Sequence, residues 1–267
     1  MEIHPTAIIG DNVKLADNVQ VGPYAIIDGD VSIGEGTKIF AHANISGFTE
    51  IGKNCEIHMN SVIGHLPQDM AFDRDNRTYL KIGDNNIFRE GTSVHRGTEP
   101  ESSTVIGDNN YFMAMSHVAH NCRIGNNVIC ANNTLIAGHV EIGNNTFLSG
   151  SVVIHQFCRI GCFVMVSGLS GINKDIPPYM MAGGRPAIVT NLNIVGLRRG
   201  GFSTEQRKNI KKLHSILFRE NRSIKNAVDE LDKLDKNQET ETFISFIKNS
   251  ERGICSSSKN IKHNQPF

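Results

Sequence analysis

The chain has 267 residues, 39% of them apolar, and its 27 Lys+Arg balance 27 Asp+Glu to a formal net charge of zero. That length allows one large or two modest domains of ordinary globular composition. Neutrality offers no general attraction to nucleic acid, no stretch has the unbroken apolar length of a membrane span, and the first residues lack a signal-peptide profile, so a cytoplasmic protein with no stable membrane insertion is expected.

From the N-terminus an aliphatic residue recurs at every sixth position: Ile3, Ile9, Leu15, Val21, Ile27, Ile33, Ile39, Ile45, Ile51, Ile57 and Ile63. No helix or ordinary strand has that period. A coil of three short strands does, with one hexad on each side of a triangular prism. The first residue of each hexad points inward, the small fifth residue fits the crowded corner, and Gly or Asn supplies the backbone freedom that corners need. Burying each Ile or Val contributes about 1.5–3 kcal/mol before entropy is subtracted, which builds a core without Trp. Cys55, Cys122 and Cys158 take fifth positions and Cys130 an inward one, so the six cysteines read as small buried hydrophobes. No CxxC pair or zinc-like spacing is present.

The pattern breaks from His65 to Tyr79, resumes at Ile82, Phe88 and Val94, breaks again from Glu99 to Val105, and then runs from Ile106 to Ile172. Competent hexads flank both breaks. Loops extruded from the prism at about 65–79 and 99–105 are therefore expected, where a solenoid collects functional surface.

Three hexads make one turn, so residues eighteen apart stack at about 4.8 Å. His120, Gly138 and Gln156 fall in one column, with His139 beside Gly138, His155 beside Gln156, and His117 three residues before His120. Imidazole is a base near neutral pH, suited to taking a proton from a hydroxyl in a transfer reaction. A glycine lets a substrate reach the backbone, whose N–H can meet developing negative charge. The same histidines could be polar residues scattered over a solvated face, or could hold zinc across a subunit boundary. The long first loop and the tail have no evident role in zinc chemistry, and no metal is expected.

The repeat ends near Pro177-Pro178, and a connecting segment runs to about Asn193. Beyond it, Ser203-Thr-Glu-Gln206 forms a capping box opening a helix to about Phe218. Ser223 to Leu234 and Glu239 to Asn249 read as two more amphipathic helices, and the polar tail from Gly253 is expected to fray. The division is a solenoid over 1–192, a helical domain over 193–252 and a disordered tail over 253–267.

SHVAHNC (116–122), AGHV (137–140) and HQFC (155–158), with HRGT (95–98), DIPPY (175–179) and GLRRGGF (196–202), resemble the acyl-[acyl-carrier-protein]–UDP-N-acetylglucosamine O-acyltransferases. The likeness runs from the first hexad to about Gly253. It implies a left-handed parallel β-helix of hexapeptide repeats followed by a C-terminal α-helical domain, assembled as a homotrimer with sites between neighbouring prisms. The activity implied is the first step of lipid A biosynthesis: a long, 3-hydroxylated acyl chain passes from acyl carrier protein to the sugar 3-hydroxyl. No cofactor is implied beyond the phosphopantetheine of the donor.

By that resemblance His120 is the general base and Gly138 the oxyanion donor. Asp69, His117, His139 and His155 bind the sugar nucleotide's sugar, Gln156, Asn193 and Arg199 contact the nucleotide, and Gly168 leaves room for a long acyl chain. Lys208, Lys211, Lys212 and Arg219 offer the acidic carrier protein a basic helix face, although solvated lysines alone would look the same.

The chain departs from the family pattern at Asn121, where many relatives have Asp, at Ala71, where a lysine is usual, and at Gly200, with Arg198 shifting an arginine pair by one position. A 3-amino sugar acceptor, giving an amide, is a second possibility within the same fold. The later N-acyltransferase of the pathway is another, except that it carries a preceding nucleotide-binding domain and the hexads here begin at Ile3. An acetyl-CoA-dependent acetyltransferase or a non-catalytic trimeric scaffold would explain the prism but not the loop, tail and histidine patch together.

Overall fold

A computed structural model describes residues 1–220 and 223–257. The hexads form strands of mostly two residues, arranged among the described residues in three sheets of 11, 9 and 8 strands that are parallel except for the last pair of the 11-stranded one. Through the coil, each strand hydrogen-bonds to the one three positions on in the chain, so each turn visits all three sheets once.

Each strand carries one outward and one inward side chain, and the inward column is the core. Ile27, Ile45, Ile57, Val94, Phe112 and Leu148 are fully buried there. Ile3 is 41% exposed although it occupies the same position. It lies in the first turn, packed against the coil from one side only.

The fourth hexad position adopts the left-handed backbone conformation, as at Asn54 (φ 52), Asn109 (φ 58), Asn127 (φ 56) and Asn145 (φ 59). Asn enters that region at low cost because its short polar side chain bonds locally. The fifth position turns its small side chain into the corner, and Cys55, Cys122, Val128, Val152 and Cys158 are all fully buried. The six cysteines are free thiols, and burial raises the Cys122 thiol to about 12, so it behaves as a small hydrophobe.

The first excursion is tighter than the broken pattern suggests, and the second is shifted towards the N-terminus. Strands Val62–His65 and Tyr79–Ile82 bound the first, leaving 66–78 as loop. The second spans 96–102, because Ser103–Ile106 is a strand in register with Tyr79–Ile82. Ser103 to Val105, expected as loop, are therefore sheet: a strand needs backbone partners on both sides more than it needs an apolar fifth residue.

The segment after the Pro pair is an antiparallel hairpin, Met180–Gly184 with Ala187–Leu192, which extends the 11-stranded sheet. Four helices follow among the described residues: α1 (Ile194–Arg199), α2 (Thr204–Phe218), α3 (Ile224–Leu231) and α4 (Gln238–Lys248). α2 starts with the complete capping box of Ser203 and Gln206. The short α1 was not legible in the hydrophobic period.

The helices dock on the eight-stranded sheet. Arg159 bonds Glu141 at 2.9 Å and the Asn249 carbonyl at 3.0 Å, with its guanidinium 4.8 Å from the Phe246 ring. Asp175 accepts from Ser250 Oγ at 2.6 Å and from the Arg159 N–H at 2.8 Å.

The expected frayed tail is ordered at its start. Cys255 N–H donates to the Asp175 carbonyl and Val189 N–H to the Ser256 carbonyl, each at 2.8 Å, while Ile254 and Cys255 are buried. Free backbone groups beside the hairpin edge supply the partners that composition did not reveal. The rest of the expected tail, 258–267, lies outside the described residues.

Candidate active site

One corner of the prism, between the nine- and eight-stranded sheets, carries the histidine patch. Hexads opening at Val118, Ile136 and Ile154 stack there, placing His120, Gly138 and Gln156 at the third position of successive turns. The fourth position puts Asn121 (φ 60), His139 (φ 59) and Phe157 (φ 65) into left-handed backbone. That is ordinary for Asn and costlier for bulky side chains, which the coil also holds there at Tyr24, His42, Phe163 and Leu169. The His139 N–H donates to the His120 carbonyl at 3.0 Å and the Phe157 N–H to the Gly138 carbonyl at 3.1 Å, which fixes the rise between turns.

His120 lies across Gly138. A Cβ on Gly138 would fall 2.5 Å from His120 Cε1 and 2.6 Å from Nε2, so the ring occupies the space that any side chain at 138 would need. The Gly138 N–H makes no hydrogen bond among the described residues. It stands beside the imidazole, free to meet an anionic oxygen.

The His120 tautomer follows from its partner. Nδ1 lies 2.9 Å from Asn121 Oδ1, which also accepts from Thr98 N–H at 3.1 Å and Thr98 Oγ1 at 2.8 Å. A peptide N–H can only donate, so the amide oxygen faces Thr98 and His120. Nδ1 must then carry the proton, and Nε2 keeps the lone pair a base requires.

His139 packs edge-on to His120 with ring centroids 5.2 Å apart, and stacks on Phe157 at 4.6 Å. Burial holds the His139 imidazole below its ordinary range, Glu99 pulls it up, His120 adds to the lowering, and Asp69 again pulls it up. The charge of the exposed Asp69 in the first loop thus reaches the patch without touching it. His117 points out of the nine-stranded sheet with Nδ1 2.8 Å from Ser93 Oγ, and burial followed by the charge of His120 lowers its pKa. His155 and Gln156 are exposed at the next turn, with His155 Nδ1 held 3.0 Å from the Gln156 carbonyl. Asn121, His139 and Phe157 open onto a cleft of about 610 Å³.

Asn193, Arg199 and Gly168 are elsewhere on the chain. Asn193 is the N-cap of α1: Oδ1 accepts from Gly196 N–H at 2.9 Å, and Nδ2 donates to the Phe163 carbonyl at 2.8 Å. Both polar ends are thus used in structure, at the corner between the eight- and 11-stranded sheets. α1 ends at the exposed Arg199, and Gly200 lines a cavity of about 780 Å³ together with Phe163, Tyr179 and Phe202. That larger cavity contains none of the patch histidines. Gly168 is exposed at the third corner, where an added Cβ would meet the Gly150 carbonyl oxygen at 3.2 Å.

Sequence spacing missed several neighbours. Ser93 pairs with His117 across an offset of 24 residues, and Thr98 reaches Asn121 across 23. His95 lies edge-on to His117 at 4.9 Å, and burial, chiefly, pushes it down to about 4. The eighteen-residue count could not find them, because the second excursion adds six residues to that turn. Among the described residues no group of three or more His, Cys, Asp or Glu side chains could hold a metal ion, and no helix is long and apolar enough to cross a membrane.

Comparison with known proteins agrees with this architecture. Residues 175–255 match the family model for domain 2 of UDP-N-acetylglucosamine O-acyltransferase, and 30–65 and 103–138 match the bacterial transferase hexapeptide model. The acyl-[acyl-carrier-protein]–UDP-N-acetylglucosamine O-acyltransferase of Syntrophobacter fumaroxidans is 44% identical, covering 95% of this chain and 99% of the relative. That of Aliarcobacter butzleri is 45% identical, over 94% and 97%. The solved Francisella novicida UDP-N-acetylglucosamine acyltransferase superposes with a TM-score of 0.92 at 33% identity, over 99% of this chain and 100% of that one. The Bacteroides fragilis structure gives 0.91 at 40%, over 94% and 99%. The coil is a left-handed parallel β-helix with a C-terminal helical domain. With this identity sustained along nearly its whole length, the chain belongs to the acyl-[acyl-carrier-protein]–UDP-N-acetylglucosamine O-acyltransferase family.

Proposed function

We propose that this protein transfers a long, 3-hydroxylated acyl chain from acyl carrier protein to the 3-hydroxyl of UDP-N-acetylglucosamine, the opening step of lipid A biosynthesis. One observation carries the chemistry: a histidine with its lone pair on Nε2 lies across a glycine whose N–H has no partner among the described residues. The names of the full-length relatives supply the donor and the acceptor.

In this reading His120 Nε2 takes the proton of the sugar hydroxyl as its oxygen attacks the acyl thioester carbonyl. Such assistance typically contributes about 10²–10⁴ in rate. The carbonyl oxygen gains the negative charge and faces the Gly138 N–H. Collapse of the tetrahedral intermediate re-forms the carbonyl and breaks the C–S bond. The imidazolium returns its proton to the departing phosphopantetheine sulfur, so no further reactant is consumed. His117, His139, His155 and Asp69 hold the sugar, while Gln156 and Arg199 meet the nucleotide. Asn193 serves by fixing α1, the helix that carries Arg199.

Arg199 and Gly168 sit at other corners than His120, so a complete site needs corners from neighbouring copies. A homotrimer brings three corners together. Exposed apolar side chains on the nine-stranded sheet support assembly: Ile8 is 60%, Leu135 43% and Val153 46% exposed in the single chain. The acidic carrier protein would approach the basic face of α2, at Lys208, Lys211, Lys212 and Arg219, and the reaction is placed in the cytoplasm.

Mass spectrometry of products tests the assignment, with UDP-N-acetylglucosamine and its 3-amino analogue offered beside carrier proteins of several chain lengths. An ester on the natural sugar is expected, and none from His120→Ala. A product only with the amino analogue would move the chain to amide synthesis. Unimpaired transfer by His120→Ala would remove the mechanism.

A further inference from the structure

Asn121, the hydrogen-bond partner of His120, carries no charge of its own. Its amide nitrogen donates to Glu99 Oε2 at 2.8 Å, and the other oxygen of the same carboxylate lies 3.9 Å from His139 Nε2. Glu99 belongs to the second excursion, directly after Thr98, whose N–H and hydroxyl meet the opposite end of the amide. Asn121 is thereby held at both ends by two consecutive residues of one loop.

We propose that Glu99 is a positioning residue of the active site: its carboxylate anchors the Asn121 amide that orients His120, and steadies His139 alongside. The proposal rests on the transferase reading above and adds to it the source of the negative charge behind the base. An ionised carboxylate only accepts, so it clamps the amide nitrogen outward while Thr98 clamps the oxygen inward. Donation to a carboxylate also polarises the amide and makes its oxygen a better acceptor for His120 Nδ1–H. That bond strengthens when Nε2 gains a proton and the ring becomes cationic.

The Glu99 side chain is 60% exposed in the single chain. Solvent therefore screens its direct Coulomb pull on the rings, and the hydrogen-bonded path through Asn121 carries the effect. Burial would raise the Glu99 pKa, but hydrogen bonds from its own N–H and from Thr98, the charge of His139 and the bond from Asn121 together lower it, so it is ionised at neutral pH.

Steady-state transfer with the intact protein tests the idea, using acyl carrier protein and UDP-N-acetylglucosamine as substrates. Glu99→Ala is expected to lower kcat about tenfold, the low end for loss of an outer hydrogen-bonding partner, with KM for the sugar nucleotide little changed. Glu99→Gln keeps an acceptor oxygen and should lose less. In an Asn121→Asp background, which sets a carboxylate directly against His120, Glu99→Ala should cost less than about twofold, because the two routes to the same ring are not additive.

A kcat for Glu99→Ala within twofold of wild type overturns the proposal, and so does an undiminished loss in the Asn121→Asp background. Nitrogen-15 spectra of histidine-labelled protein give a readout that needs no turnover. The wild type should show His120 protonated on Nδ1, and Glu99→Ala a mixture of tautomers. Identical His120 shifts in the two proteins would also refute the role. Absence of transfer by the wild type would instead count against the proposed reaction, and the spectra would still decide for or against Glu99.

Discussion

Gly138→Ala isolates the geometry on which the mechanism depends. The new Cβ would stand 2.5 Å from Cε1, 2.6 Å from Nε2 and 3.1 Å from Nδ1 of His120. Non-bonded carbons settle at about 3.5–4.0 Å, so the ring must retreat by roughly 1 Å. The backbone N–H at 138 survives, and Gly138 is not among the positive-φ glycines, so the main chain accepts alanine. What changes is the place of Nε2 and its bond through Nδ1 to Asn121. A displacement of about 1 Å commonly costs ~10²-fold in rate, or about 2.7 kcal/mol of barrier. Stability should barely move, because the displaced group is a half-buried ring rather than core. Initial rates at saturating acyl carrier protein and sugar nucleotide measure the loss, with thermal melts as the control. The same substitution should cost nothing further when His120 is already alanine. A kcat within threefold of wild type would mean that the ring yields without consequence, and the placement of the base over Gly138 would be wrong.

Gly168→Met should shift preference towards shorter acyl donors, since the added side chain projects from an exposed corner with the Gly150 carbonyl close behind it; an unchanged chain-length profile, read by competition between donors, would reject that residue as a ruler. Stability should fall as pH drops from about 6.5 towards about 4, because burial, chiefly, holds His95 and His214 to about 4 in the folded chain against 6.5 ordinarily. The unfolded chain binds more protons throughout that window, so protonation favours it, and the stability present above 6.5 is lost on acidification. Denaturant midpoints across the range, for wild type and for His95→Gln, check the sign. A pH slope that His95→Gln leaves unaltered would put the titration elsewhere.

The coil was legible because its cause is local. An inward aliphatic residue, a left-handed fourth position and a small fifth residue are each set within six residues. Ile136, Asn145 and Cys158 therefore declare their places without reference to the rest of the chain. The stacking of His120, Gly138 and Gln156 was legible for the same reason, since no insertion falls between Val118 and Ile172. Across the two excursions the count fails. Offsets become 31 residues between Val62 and Ser93, and 24 between Ser93 and His117, because only pairing between turns decides where a strand re-enters the sheet.

Thr98 and Glu99 were therefore invisible as partners of Asn121, although HRGT had marked their neighbourhood. Docking of residues 253–257 on Asp175 and Val189 was hidden as well, because backbone hydrogen bonds leave little trace in composition. The sequence by itself determined the prism, its period and the column holding the base. Tertiary structure alone decided which loop atoms close around that base, and where α1 carries Arg199. The physical reason is one of range: hexad conformation is fixed by neighbours in the chain, whereas loop closure and the docking of helices depend on how whole turns stack.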